Sequence, residues 1–166
     1  MIRHAKLHEI PEILIITQAC AAHMAARGIY QWNDSYPGRE VFERDFAREE
    51  LFILEDAGQI IGCIVASTFQ DLEYKSVAWL TPDTNNIYVH RLAIRPDRQG
   101  EGHARHLMDF TEDLGRTAGA HSIRLDTFSR NRRNQNFYEQ RGYQRLEDIY
   151  FPKQSNFPFY CYELVF

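Results

Sequence analysis

The chain is short of long apolar runs, of cysteine and of glycine-rich or low-complexity tracts. The longest apolar stretch, Ile60 to Ala66, has the length of a strand, far from the roughly 18 residues that a membrane span needs. The opening Met1-Ile2-Arg3-His4 has none of the apolar body of a secretory signal. Cysteine occurs three times, at Cys20, Cys63 and Cys161, an odd number with no CxxC pair. Buried thiols in a cytoplasmic protein are therefore expected rather than a disulfide framework. There is no internal repeat, no linker and no charge-only segment. The 166 residues are 44% hydrophobic and 25% charged, ordinary values for a folded soluble domain. One domain spanning residues 1–166 is expected, long enough to bury its own core.

What the chain has is unevenly placed charge. The net charge is −4, which disfavours nucleic acid as a partner. Residues 91–145 nevertheless hold eleven arginines, no lysine and seven acids, while the remainder carries eight basic and sixteen acidic residues. Arginine suits planar, bidentate contact with phosphate. The basic stretch is either a solvated face or the holder of a phosphorylated ligand.

Periodicity gives the elements. Ile2 to Lys6 suits a short strand, and His8 to Arg27 repeats apolar residues at helical spacing before Gly28. Arg39 to Glu50 suits a second helix. Leu51–Glu55 and Gln59–Ser67 flank the turn Asp56-Ala57-Gly58 and predict a hairpin. Asn86 to Ile94 is a strong strand, followed by a helix from His103 to Gly119, a strand at Ser122–Thr127 and a helix at Asn131–Arg141. Tyr143–Phe151 and Phe157–Val165 close the chain as strands. The order predicts a three-layer α/β (α+β) domain with a mixed, mostly antiparallel sheet and one parallel crossover. The aromatic-rich last strand would either complete the sheet or pair across a homodimer.

Between strand and helix lies Gln99-Gly100-Glu101-Gly102-His103-Ala104. Glycines permit a sharp turn and close backbone approach, and the first turn of a helix offers unpaired N–H groups to an anion. The segment lacks the Gly-Lys-Ser/Thr of a P-loop and the GxGxxG of a dinucleotide site. A simple tight turn explains it as well.

The longer run Arg91-Leu92-Ala93-Ile94-Arg95-Pro96-Asp97-Arg98-Gln99-Gly100-Glu101-Gly102-His103-Ala104 resembles the acetyl-CoA motif of the GNAT N-acetyltransferase superfamily, with Gln99, Gly102 and Ala104 at the pattern positions. A second family signature is similar to Asn131-Arg132-Arg133-Asn134-Gln135-Asn136-Phe137-Tyr138, followed by Gly142-Tyr143. It departs at Asn134, where the family commonly has alanine. The resemblance covers about residues 50–150. It implies a sheet splayed at a parallel strand pair, with Leu92, Ala93 and Ile94 pairing the pantetheine arm of acetyl-CoA. It implies a pyrophosphate held on amides of Gly100, Glu101, Gly102, His103, Ala104 and Arg105. Asn131 would lie near the pantetheine or thioester end, with Asn134 close by, and Tyr138 would protonate the departing thiolate.

The implied reaction is direct acetyl transfer to an amine of a small molecule through a tetrahedral intermediate. The attacking amine must first lose a proton. His90, on one strand face with Tyr88 and Leu92 by parity, is the first candidate base, its ordinary pKa suiting neutral pH. A structural histidine is the alternative, and Glu73 and Asp126 are lesser candidates. By the same parity Arg91 should face the opposite side. Trp32, Tyr36, Trp79 and Tyr88 are candidates for the acceptor pocket. His103 and His106 lie one helical turn apart, but nothing completes a metal set around them. An acyl-CoA-binding regulatory module, or an enzyme acting on protein lysines or N-termini, are the competing readings.

Overall fold

The computed structural model describes residues 1–166. Its framework is one seven-stranded sheet in the order β1-β2-β3-β4-β5-β7-β6. The strands are β1 (Ile2–His4), β2 (Leu51–Asp56), β3 (Gln59–Ser67), β4 (Asn86–Ile94), β5 (Ser122–Phe128), β6 (Gln144–Ile149) and β7 (Phe159–Val165). All neighbours are antiparallel except β4 and β5. The helices are α1 (Ile10–Ala25), α2 (Arg39–Ala47), α3 (His103–Thr117) and α4 (Arg132–Gln140). Each helix predicted from the sequence is present, with ends drawn in by up to three residues. No helix is long and apolar enough to cross a membrane.

Helices cover both faces because alternate strand residues are apolar on both. On one face α1 buries Ile10, Ile13, Ile16 and Cys20 against Ile53, Cys63, Val65 and Ala93. On the other, α3 buries Leu107 and Met108 against Ile64, Ile87, Val89 and Ile123. Each buried isoleucine, leucine, valine or methionine among these contributes about 1.5–3 kcal/mol. Leu114, which helical spacing places with Leu107 and Thr111, is 36% exposed. Gly115 lies at the sheet in its place, against Ile123 and Phe166. The three cysteines are buried and unpaired.

The last strand completes the sheet. β7 lies between β5 and β6 and pairs with both, so it has no free edge with which to meet a second copy.

Strand β4 carries the irregularity that matters most. His90 lies opposite Val65, and Ala93 opposite Cys63. Two residues, Arg91 and Leu92, therefore stand against Ile64 alone. Arg91 takes φ 52°, a conformation that non-glycine residues seldom adopt. This is a β-bulge, and it shifts the alternation by one residue. Two expectations from parity are corrected by it. Leu92 packs with Ile87 and Val89 beside α3 and not with Tyr88 and His90. Arg91 turns to the α1–α2 face, where its guanidinium meets Asp45 of α2. Gly62 of β3 lets the bulged strand close in, since an added Cβ would lie 2.6 Å from the carbonyl oxygen of Ala93.

Candidate active site

β4 and β5 pair only at Asn86–Tyr88 with Ser122–Arg124. Beyond Tyr88 the two strands part, and the rest of β4 leaves its edge toward β5 unpaired. Three cavities meet at this gap, and Leu92 and Asn134 line all of them.

The largest of the three, about 320 Å³, lies between Ile94, the turn before α3 and the outer face of α4. Gly100 and Gly102 stand at φ 83° and 87°. An added Cβ at either would meet nothing within 4 Å, so these positions need glycine for the left-handed backbone and not for close packing. Every amide from Gly100 to Arg105 lacks an acceptor within the chain. His106 is the first to donate, to the carbonyl of Gly102. Six consecutive free amides at the positive end of a 15-residue helix form a cradle for a pyrophosphate. Arg105 and Arg133 add positive charge to the wall. Glu101 is exposed and occupied elsewhere, 2.9 Å from both Arg98 and His103. Gln99 braces the turn by donating to the carbonyl of Ile94 at 3.0 Å and accepting from Arg133 at 3.1 Å.

α4 forms the opposite wall. Asn131 is its N-cap: the side-chain oxygen accepts from the amide of Asn134 at 3.1 Å. Its amide nitrogen donates to Gln31 at 3.0 Å. Both ends of Asn131 are thus engaged in fixing the helix and the loop after α1. Asn134 donates to Thr127 at 3.3 Å. Tyr138, 5% exposed, packs on Tyr143 and Tyr162. Its hydroxyl makes no hydrogen bond within the chain, and the ring lines both the large cavity and the small one behind it. Burial, together with the Asp126 charge, pushes this phenol well above its ordinary pKa, so it stays protonated.

The small cavity, about 70 Å³, lies on the α1–α2 side of the gap. Of the four aromatic candidates, Trp32 and Tyr36 line it and Trp79 and Tyr88 do not. Those two instead pack around the buried Arg124, whose guanidinium lies 4.6 Å from the Trp79 ring and donates to the Tyr88 hydroxyl. Arg124 is held by Glu163 and by carbonyls of Thr81 and Pro82. This anchors the irregular segment between β3 and β4 onto the sheet.

The titratable groups of the small cavity differ from the sequence expectation. His90 lines it, but burial, reinforced by Arg91 and Arg44, pulls its pKa down to about 3. The imidazole is neutral and a poor proton acceptor at pH 7. Its Nε2 is buried with no hydrogen-bond partner. Asp126 shows the opposite behaviour: burial raises its carboxyl to about 7, against the pull of a 2.5 Å hydrogen bond donated by Tyr74. Asp71 also lines the cavity and is raised by burial. Glu73 is exposed on the 3-10 turn Leu72–Ser76 and lines none of the three cavities. Asp71, Gln31, Phe151 and Gln154 line the small cavity without having been marked by any motif. They lie in loops, and only folding brings them together.

A family model described as the acetyltransferase (GNAT) family matches residues 16–143. The chain belongs to this family. It is an acetyl-CoA-dependent acetyltransferase, and the free amides before α3 fit the cofactor's pyrophosphate. No curated protein sequence matches the chain. Among solved structures it is similar to a protein of Staphylococcus aureus Mu50 assigned as an acetyltransferase, at 27% identity and TM-score 0.77 over 99% of this chain and 98% of that one. It is similar in fold to a GNAT-family acetyltransferase of Streptococcus agalactiae 2603, at 21% identity and TM-score 0.83 over 100% and 95%. The PaiA N-acetyltransferase of Thermoplasma acidophilum, solved in complex with coenzyme A, matches at 15% identity and TM-score 0.74 over 100% and 98%.

Proposed function

We propose that this GNAT acetyltransferase acetylates the amine of a small molecule held in the cavity between the loop after α1 and the β4–β5 gap. Bound acetyl-CoA supplies the activated acetyl group. Amides of Gly100 to Arg105 hold its pyrophosphate, and the free edge at Leu92–Ile94 holds its pantetheine arm. Asp126 accepts the proton of the incoming ammonium, directly or through a water. A carboxyl near pH 7 is matched to that task, because it is partly ionised at neutral pH and still basic enough to take the proton. His90 stays neutral and shapes the wall. Tyr138 keeps its proton and donates it to the departing thiolate.

The observation that carries this reading is that Asp126 and Tyr138 line one small cavity, which also adjoins the cofactor cavity through Leu92 and Asn134. A small acceptor is favoured over a peptide because the two loops walling the cavity are tied to each other. Asn33 donates to the carbonyl of Lys153 at 3.4 Å. The test is thiol release from acetyl-CoA with a panel of small primary amines beside a panel of lysine-containing and free-N-terminus peptides. Turnover of small amines but not of peptides is expected; the reverse pattern refutes the reading.

A further inference from the structure

The small cavity holds more acid than one proton transfer requires. Asp71 and Asp126 both line it. The only cation among its lining residues, Arg91, is already committed. It donates to both oxygens of Asp45 at 2.8 and 2.9 Å and to the Tyr36 hydroxyl at 3.1 Å. His90 is neutral, 10% exposed in its side chain, and its unpartnered Nε2 stands 3.9 Å from an Asp71 oxygen. A buried nitrogen without a partner, beside a half-exposed carboxylate with no arginine or lysine within ion-pair distance, marks a place where a ligand completes the bonding. Aromatic rings of Trp32, Tyr36 and Phe151 supply walls suited to a cation. A volume of about 70 Å³, at roughly 10–15 Å³ per water-sized centre, suits a chain of a few atoms.

We infer that the acceptor is a short amine carrying a second cationic group, such as an α,ω-diamine, and that Asp71 is the specificity-determining residue that pairs the non-reacting ammonium while Asp126 serves the reacting one. This inference rests on the small-amine reading above. Asp71 is suited to the task because its carboxylate makes no hydrogen bond within the chain, whereas Asp126 is tied to Tyr74. The neutral His90 completes the second ammonium's shell through whichever ring nitrogen lacks its proton.

The test compares 1,4-diaminobutane with butylamine, which match in carbon count, as acceptors for the wild type, Asp71→Asn and Asp71→Glu. The wild type is expected to favour the diamine by at least about tenfold in kcat/KM, a single charge pair of about 1.4 kcal/mol. Asp71→Asn is expected to collapse that preference, with the loss falling on KM for the diamine, and Asp71→Glu to restore part of it. A merely structural role for Asp71 would lower both acceptors together. Equal use of the two amines by the wild type, or an unchanged preference in Asp71→Asn with an unchanged Tm, overturns the inference while leaving the small-amine reading intact. Failure of every small amine overturns that reading, and this inference with it.

Discussion

Removing one hydroxyl, in Tyr74→Phe, should move the pH profile of the enzyme in a calculable direction. The Tyr74 hydroxyl donates to Asp126 at 2.5 Å and so stabilises the ionised carboxylate. That hydrogen bond works against burial, which alone would lift the carboxyl above its value of about 7. A hydrogen bond to a charged group is worth about 1.5–3 kcal/mol, and one pH unit corresponds to about 1.4 kcal/mol. Without the hydroxyl, the acid limb of kcat/KM should therefore move alkaline by roughly one to two pH units, minus whatever a replacing water recovers. Phenylalanine keeps the ring, which packs on Trp79, Tyr88 and His90, so the plateau rate at high pH should fall far less than the rate at pH 7. The assay is thiol release from pH 5.5 to 9.5 with saturating acetyl-CoA. An acid limb that stays in place in Tyr74→Phe would show that Asp126 is not the group that must ionise. An acid limb near 7 that survives in Asp126→Asn would show the same.

Tyr138→Phe should lower kcat by roughly 10²-fold or more, the scale of a lost general acid, with little change in the calorimetric affinity for acetyl-CoA. Full activity would remove the hydroxyl from the mechanism. Gly62→Ala should destabilise the fold by about 1–3 kcal/mol, read as a Tm lower by several degrees, because the new Cβ meets the backbone carbonyl of Ala93 at 2.6 Å and strand backbone cannot step aside. His90 should make the protein acid-sensitive. Its folded pKa of about 3 lies below the ordinary 6.5, so its contribution is complete above pH 6.5 and is lost as pH falls toward 3. By pH 4.5 the loss is roughly 2–3 kcal/mol. Asp126, whose carboxyl is raised, contributes with the opposite sign over the same window. The check is thus the difference between wild type and His90→Gln in urea unfolding at pH 7 and 4.5, and a difference that does not change with pH refutes the buried, neutral imidazole.

The helices and strands were legible because their apolar residues repeat at 3.6 or 2, and the turn before α3 was legible because its glycines and its place between strand and helix state its backbone. The bulge was not. Nothing in His90-Arg91-Leu92-Ala93 shows that Arg91 adopts a positive φ, and alternation counted through it assigns Leu92 and Arg91 to the wrong faces. The acid pair of the small cavity was half legible. Asp126 sits on a strand whose period is visible. Asp71 precedes a short 3-10 turn in an irregular segment that tertiary contacts place against the sheet, among them the Arg124 grip on Thr81 and Pro82. The pKa of His90 could not be read from residue type either, because burial and the two neighbouring guanidinium groups set it.

The bulge is also what joins the two halves of the site. It turns Leu92 toward α3 and α4, so that the strand end lines the cofactor cavity. In the same step it sends Arg91 toward α2, where it fixes Asp45 and Tyr36 beside the small cavity. A pair as buried as Arg91–Asp45, with side chains 7% and 2% exposed, is a poor choice for stability alone, since apolar residues of similar volume often do as well or better. Its advantage is direction. A guanidinium with Nε and Nη2 fixed on Asp45 has its third nitrogen, Nη1, aimed at the Tyr36 hydroxyl, and that sets the wall of the small cavity relative to the bulged strand. Reaction between two bound groups loses rate steeply with sub-ångström misplacement. A rigid ionic strut from the bulged residue to the loop that carries Tyr36 answers the need of the proposed transfer in a way that a mobile apolar contact would not, which accounts for a strained arginine standing where the sheet opens.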